Sequence, residues 1–217
     1  MGETTTGGDS SMRRFVTALS FCLAAYLPLE SARAERKPYV PDRPHCQLNF
    51  VGDALLVSAH GYFEKWEIDA QLNPANLEDS AVALDIESAS LTSRISRRDN
   101  HLRSVDFFDV ANHPKIKFVS NKVKKIDDKN LILTGDLTLR GVTKSVDVPV
   151  KVVFLREGDA RFKGELQVNR RDYGMNYNSR MNPIEDMVTV QFDMHLVDKA
   201  VQEERQRQAQ PPRPQPN

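Results

Sequence analysis

Cysteine is nearly absent: the 217 residues contain two, Cys22 and Cys46. Cys22 falls inside an N-terminal apolar stretch, so a processed chain keeps Cys46 alone and forms no internal disulfide. A lone Cys46 reads as a small, partly buried strand residue. No Cys-x-x-Cys pair occurs, and the five histidines (His45, His60, His101, His113, His195) show no His-x-x-x-His spacing. No metal site is expected from such a set. Charge of one sign is lacking too, since 30 basic residues balance 30 acidic ones. No basic surplus therefore favours nucleic acid, and no basic cluster favours an anionic membrane surface. Neither Gly-x-Ser-x-Gly nor a phosphate-cradling glycine loop is present. Asp99 and His101 could imitate a general-base dyad, but no serine or cysteine nucleophile motif accompanies them. The chain is therefore read as no enzyme, with no catalytic residue.

The apolar run from Phe15 to Leu29 is too short for a comfortable bilayer span. Met12-Arg13-Arg14 precedes it and Ala32-Arg33-Ala34 follows it, just before Glu35. This order of basic, apolar and small residues predicts a secretory signal peptide over residues 1–34, with 1–11 an over-extended start. Export to the periplasm follows, with no stable membrane span after cleavage. Bulky Phe21 sits badly before Cys22 for lipid modification. At the other end, Gln202 to Asn217 is rich in Gln, Arg and Pro and offers almost nothing apolar to bury. It is expected to be a disordered tail (202–217), which leaves residues 39–201 as the folded domain.

Inside that domain the dominant period is two. Val146, Val148, Val150, Val152 and Phe154 alternate with mostly polar residues. So do Phe162, Gly164, Leu166 and Val168, and again Val188, Val190, Phe192, Met194 and Leu196. Each run presents one apolar and one wet face, as a half-buried strand does. Pro149 lies on the wet side and predicts an edge, a bulge or a strand end. Short turn-like segments (127–130, 141–144, 157–159) separate the runs and predict an antiparallel meander. About eight such strands point to an all-β, lipocalin-like eight-stranded barrel, because closure removes exposed edges. The segment from Ser96 to Pro114 breaks the alternation. It predicts a short helical insertion at one mouth, with Ser96 as its cap.

The residues of that insertion, Leu91-Thr92 through Arg98-Asp99-x-His101-Leu102-Arg103-Ser104-x-Asp106-Phe107-Phe108-Asp109-Val110, resemble the signature of the YceI-like family. So do His113-Pro114-Lys115-Ile116-x-Phe118-x-Ser120, the block Gly135 to Lys144, and Asn169-Arg170-Arg171-Asp172-Tyr173-Gly174-Met175. His45-Cys46-x-x-x-Phe50 and Gly61-x-Phe63 are similar to the family's opening strands, although serine is usual at the Cys46 position. The resemblance spans roughly Tyr39 to Leu196. It implies a periplasmic barrel that holds a polyisoprenoid or quinone-like lipid in its lumen, as carrier or sequestering protein. It also implies no cofactor beyond that ligand, and a possible homodimer.

A lumen lined by Phe63, Trp66, Ile86, Phe118, Leu137, Leu139, Val150, Phe154, Phe162 and Phe192 would shelter an apolar tail without directional bonds. Ordinary core packing explains any one of these residues equally well. Arg98, Asp99 and His101, beside Leu102, Phe107 and Phe108, form the densest polar cluster. There Arg98 or Arg140 could meet a phosphate or carbonyl head group, whereas Asp99 is read as a structural residue of the insertion. The competing reading is an interaction module: a filled barrel that docks a membrane redox or stress-response partner.

Overall fold

The computed structural model describes residues 35–209, so the expected leader over 1–34 lies outside the described residues. The alternating runs become strands β1 (Lys37–Pro41), β2 (Gln47–Ala54), β3 (Ala59–Phe63), β4 (Trp66–Leu72), β5 (Ala81–Glu87) and β6 (Leu91–Thr92). They continue as β7 (Lys115–Lys125), β8 (Asn130–Leu139), β9 (Val142–Arg156), β10 (Asp159–Asn169) and β11 (Ile184–Asp198). Hydrogen bonding runs β1-β4-β5-β7-β8-β9-β10-β11, and β11 returns to β1 to close the ring. The short strands β2, β3 and β6 extend this ring upward, β2 on β11, β3 on β2 and β6 on β3. The pairs β1/β2, β3/β4 and β5/β6 are thus single wall strands, each bent once. The result is the expected antiparallel barrel of eight strands, a size whose interior either fills with side chains or holds one small ligand.

The strand phase departs from the simple alternation in one place. On β9, Val152 faces inward opposite Phe162, but the register shifts before Arg161 pairs with Phe154. This bulge at Val153 moves Leu155 into the core and turns Phe154 outward. Pro149 also has a local consequence. Pairing between β9 and β10 stops at Val150, so residues 142–149 hydrogen-bond β8 alone. Proline lacks the N–H that would carry the ladder further. The β8–β9 turn is tighter than expected, with only Arg140 and Gly141 at its tip. Their φ values of 51° and 75° are those a two-residue type I′ hairpin requires.

Helix α1 (Ser96–Arg103) forms over one end of the barrel as the insertion predicted. It starts at Ser96 itself, with Ile95 in the cap position and no side-chain cap. A second helix, α2 (Lys199–Ala209), replaces the first part of the expected disordered tail; 210–217 lie outside the described residues. Gln, Glu, Arg and Ala are good helix formers, and the prolines begin only at Pro211. Val201 packs on Gly158, and Arg205 donates to Asp159 at 2.7 Å, which docks α2 to the barrel's far end.

Candidate functional site

The barrel encloses a cavity of about 510 Å³, within the usual range for a ligand site. Its walls run from Leu72, Leu77 and Leu131 near the far end to Val57, Ser179 and Asn182 at the mouth. On β11 the lining residues extend from Ile184 to Leu196, roughly 40 Å along the strand at about 3.3 Å per residue. Val57 lines the cavity and is also 61% exposed, so the lumen reaches the surface there. Polar side chains are few along this length.

Of the residues expected to contact a ligand, Phe63, Ile86, Arg98, Leu102, Phe107, Phe108, Phe118, Leu137, Leu139, Val150, Phe162 and Phe192 all line the cavity. Three do not. Trp66 is buried under the Arg43 guanidinium, which stacks 4.1 Å from its ring. Phe154 lies on the outer face against His195 and Arg156, as the bulge dictates. Arg140 is held on the turn, where its guanidinium donates to the carbonyls of Gly174 and Val105. It is a clamp across the mouth rather than a head-group contact. Together with the Lys144–Asp172 ion pair at 3.1 Å, it bridges the region where Pro149 ends the β9–β10 ladder.

Two aromatic groups fix the insertion over the mouth. Phe108 meets Phe50 and Phe63 at 6.2 and 5.9 Å, while Phe107 meets His101 and Tyr177 at 5.0 and 5.4 Å. The Phe63–Phe108 and His101–Phe107 pairs are edge-to-face and the other two tilted, arrangements that add to simple burial. Two cross-strand pairings keep the bore open. Phe50 lies flat over Gly61, and Phe192 over Gly164, where any Cβ would collide with the ring. Gly61→Ala is expected to tip Phe50 into the lumen and cost about 1–3 kcal/mol by overpacking. Thermal unfolding measures that loss, and a wild-type midpoint would contradict it.

The polar cluster divides its roles. Asp99 is buried and accepts hydrogen bonds from the Ser93 N–H (2.8 Å), the Ser93 hydroxyl and the Thr92 hydroxyl (3.1 Å). Burial pushes its carboxyl up, but these bonds and the Arg103 charge outweigh that and hold it below its ordinary value. His101 instead pairs with Asp106 at 2.8 Å, so Asp99 and His101 do not form a dyad. Arg98 donates through Nε and Nη2 to the Ser93 hydroxyl (2.7 Å) and carbonyl (3.0 Å). It lines both the lumen and a neighbouring hollow with Ser58, His60, Tyr62 and Arg94.

Asp159 and Asp193 are likewise held low, first by hydrogen bonds from Arg205 and Arg161 respectively. A carboxylate with a depressed folded pKa stabilises the fold above its unfolded value and loses that contribution as pH falls through the folded one. The contribution of these three carboxylates is therefore expected to be complete above the ordinary carboxylate range and to be lost progressively as pH falls below the ordinary 3.8. In Asp99→Asn the acid limb of a urea-midpoint profile should be shallower.

The fold also gathers residues that sequence spacing did not connect. Asp42 Oδ2 lies 2.8 Å from His45 Nδ1 and 3.1 Å from His195 Nδ1, and these three form a group that could hold a metal ion. The His195 Nε2 is engaged by Asp159 at 3.2 Å. This group sits on the outer wall, away from the lumen lining. Tyr177 and Arg170 also line the lumen; Arg170 belongs to the late family block, which gives it no place in the lining, and Tyr177 lies on no alternating apolar run.

Residues 39–196 match the YceI-like domain family, which accounts for every ring strand from β1 to β11. The chain belongs to the YceI-like family. A relative of this YceI-like chain, the UPF0312 protein of Pseudomonas savastanoi pv. phaseolicola, is 36% identical over 157 residues, covering 68% of this chain and 81% of its own. The UPF0312 protein of Pseudomonas fluorescens is 38% identical over 144 residues, 63% and 71% of the two chains. Burkholderia cenocepacia BcnA shares the fold with a TM-score of 0.67 at 22% identity, covering 71% of this chain and 98% of that one. A polyisoprenoid binding domain from Saccharophagus degradans, implicated in plant cell wall breakdown, shares it with a TM-score of 0.59 at 18% identity, covering 75% and 99%.

Proposed function

We propose that this YceI-like chain is an exported, non-catalytic lipid-binding protein. It holds a long polyisoprenoid or quinone-like molecule in its lumen, as carrier or sequestering protein. The observation that carries this reading is the continuous apolar cavity of about 510 Å³ inside a closed barrel. The similarity in fold to a domain described as polyisoprenoid binding adds support. The void counts against the competing reading, a filled barrel that only docks a partner. The basic, apolar and small-residue order of the leader supports export to the periplasm.

The energetics follow from the walls. Each methylene moved from water to the lumen contributes about 0.8 kcal/mol, without directional preference. Selectivity therefore rests on tail length and on the Arg98 end, where the guanidinium can meet a phosphate or carbonyl. Titrating delipidated protein with polyprenyl phosphates of increasing length tests this. Affinity should climb steeply with each isoprene unit and level off once the tail outgrows the lumen. An affinity indifferent to tail length would defeat the reading.

A further inference from the structure

The mouth is built as a contact surface. The β2–β3 turn carries Leu55, Leu56 and Val57 at 73, 70 and 61% exposure, and Met181 on the neighbouring loop is 87% exposed. Single exposed apolar residues are ordinary, but a run of three at one tip marks an interaction site. This tip is held in place: Leu55 N–H donates to the Pro183 carbonyl at 2.9 Å, and Leu56 N–H to Asn182 Oδ1 at 2.7 Å. Ser58 donates to Asp53 at 2.5 Å. Through Val57 the patch is continuous with the lumen wall.

Charge around the tip has one dominant sign. The three segments nearest this tip (52–62, 93–98, 175–183) contain Arg94, Arg97, Arg98, Arg180 and His60, against Asp53 alone, while the rest of the mouth (99–114, 140, 170–174) is balanced, with Arg103, Arg140, Arg170 and Arg171 against Asp99, Asp106, Asp109 and Asp172. The connections at the far end (73–80, 126–130, 156–159) contain Glu78, Asp79, Asp127, Asp128, Glu157 and Asp159, against Lys129 and Arg156, and α2, docked there, adds Lys199, Arg205 and Arg207 against Glu203 and Glu204. The chain is neutral as a whole, so only folding separates these charges. From this geometry we propose that the mouth docks on an anionic phospholipid surface. Leu55, Leu56 and Met181 enter the acyl boundary, and the arginines meet the head groups. Four side chains fall well short of the roughly 1,200 Å² that a stable protein interface buries, which disfavours a second copy as the occupant. The proposal deepens the carrier reading, since a ligand would pass between bilayer and lumen beside Val57.

Co-sedimentation of the mature protein with phosphatidylcholine vesicles, with and without phosphatidylglycerol, tests it. Binding should be strong with the anionic lipid and weak without it, and should fall with added salt. Leu55→Ser/Leu56→Ser/Met181→Ser should lose at least tenfold in binding, and Arg94→Glu/Arg180→Glu a similar amount, with unchanged thermal unfolding. Vesicle binding that survives both variants would overturn the proposal. So would a homodimer in sedimentation velocity that the serine variant dissociates, because a second copy would then cover the tip. The readout needs no lumen ligand: vesicle binding by a protein that takes up no lipid would reject the carrier reading and keep the docking.

Discussion

Arg170→Ala is expected to cost about 3–5 kcal/mol of stability, the loss that follows when a buried charge network is deprived of its central partner. Arg170 is 2% exposed, at the point where β10 ends. Its guanidinium donates to the carbonyls of Met175 (2.5 Å), Tyr177 (2.8 Å), Ile184 (3.2 Å) and Glu185 (3.0 Å), and to Asp186 at 3.0 Å. Burial lowers the guanidinium pKa, and the Asp186 charge works against that. One side chain thus shapes the loop between β10 and β11 that carries Tyr177, Ser179 and Asn182 on the lumen wall. Removing it leaves several carbonyls buried without donors. Arg170→Lys should restore little, because an ammonium cannot reproduce the planar fork. Urea unfolding checks this: wild-type midpoints in both variants would contradict it.

Leu137→Glu is expected to weaken binding of a long isoprenoid at least a hundredfold, about 2.7 kcal/mol. Leu137 is partly buried, lines the cavity and pairs across the wall with Phe118. A carboxyl there lets water into the empty lumen, and a hydrocarbon tail must then displace that water or face an unpaired polar group. Leu137→Met, which conserves volume and polarity, should bind as wild type. Circular dichroism separates this effect from unfolding. A folded Leu137→Glu protein with unchanged affinity would mean that the ligand does not occupy the lumen.

The barrel was legible because its walls alternate strictly. Val188 to Leu196 reads as a strand without help, and the same residues line the cavity. What the period could not show were events that change its phase. The bulge at Val153 turned Phe154 outward, yet nothing in Val152-Val153-Phe154-Leu155 marks it, since all four residues are apolar. Trp66 is expected in the lumen lining but is buried beneath Arg43, from a turn whose position no periodicity predicts. The sequence offers Arg140 as a charge-assisted partner for a phosphate or carbonyl head group. Its positive φ and its bonds to Gly174 and Val105 make it a clamp instead.

The helix at Lys199–Ala209 was hidden by composition, which weighs the prolines from Pro211 onward together with the good helix formers before them. Charge gave the least away. A net value of zero concealed the arginines that gather around the β2–β3 tip, because segments distant in sequence meet only when the barrel closes.

The most direct test of the account is mass spectrometry of an organic extract of residues 35–217, purified without detergent from the native host. The lumen predicts a long isoprenoid or quinone-like lipid, recovered at close to one molecule per chain. A folded protein whose extract repeatedly contains no lipid would contradict it.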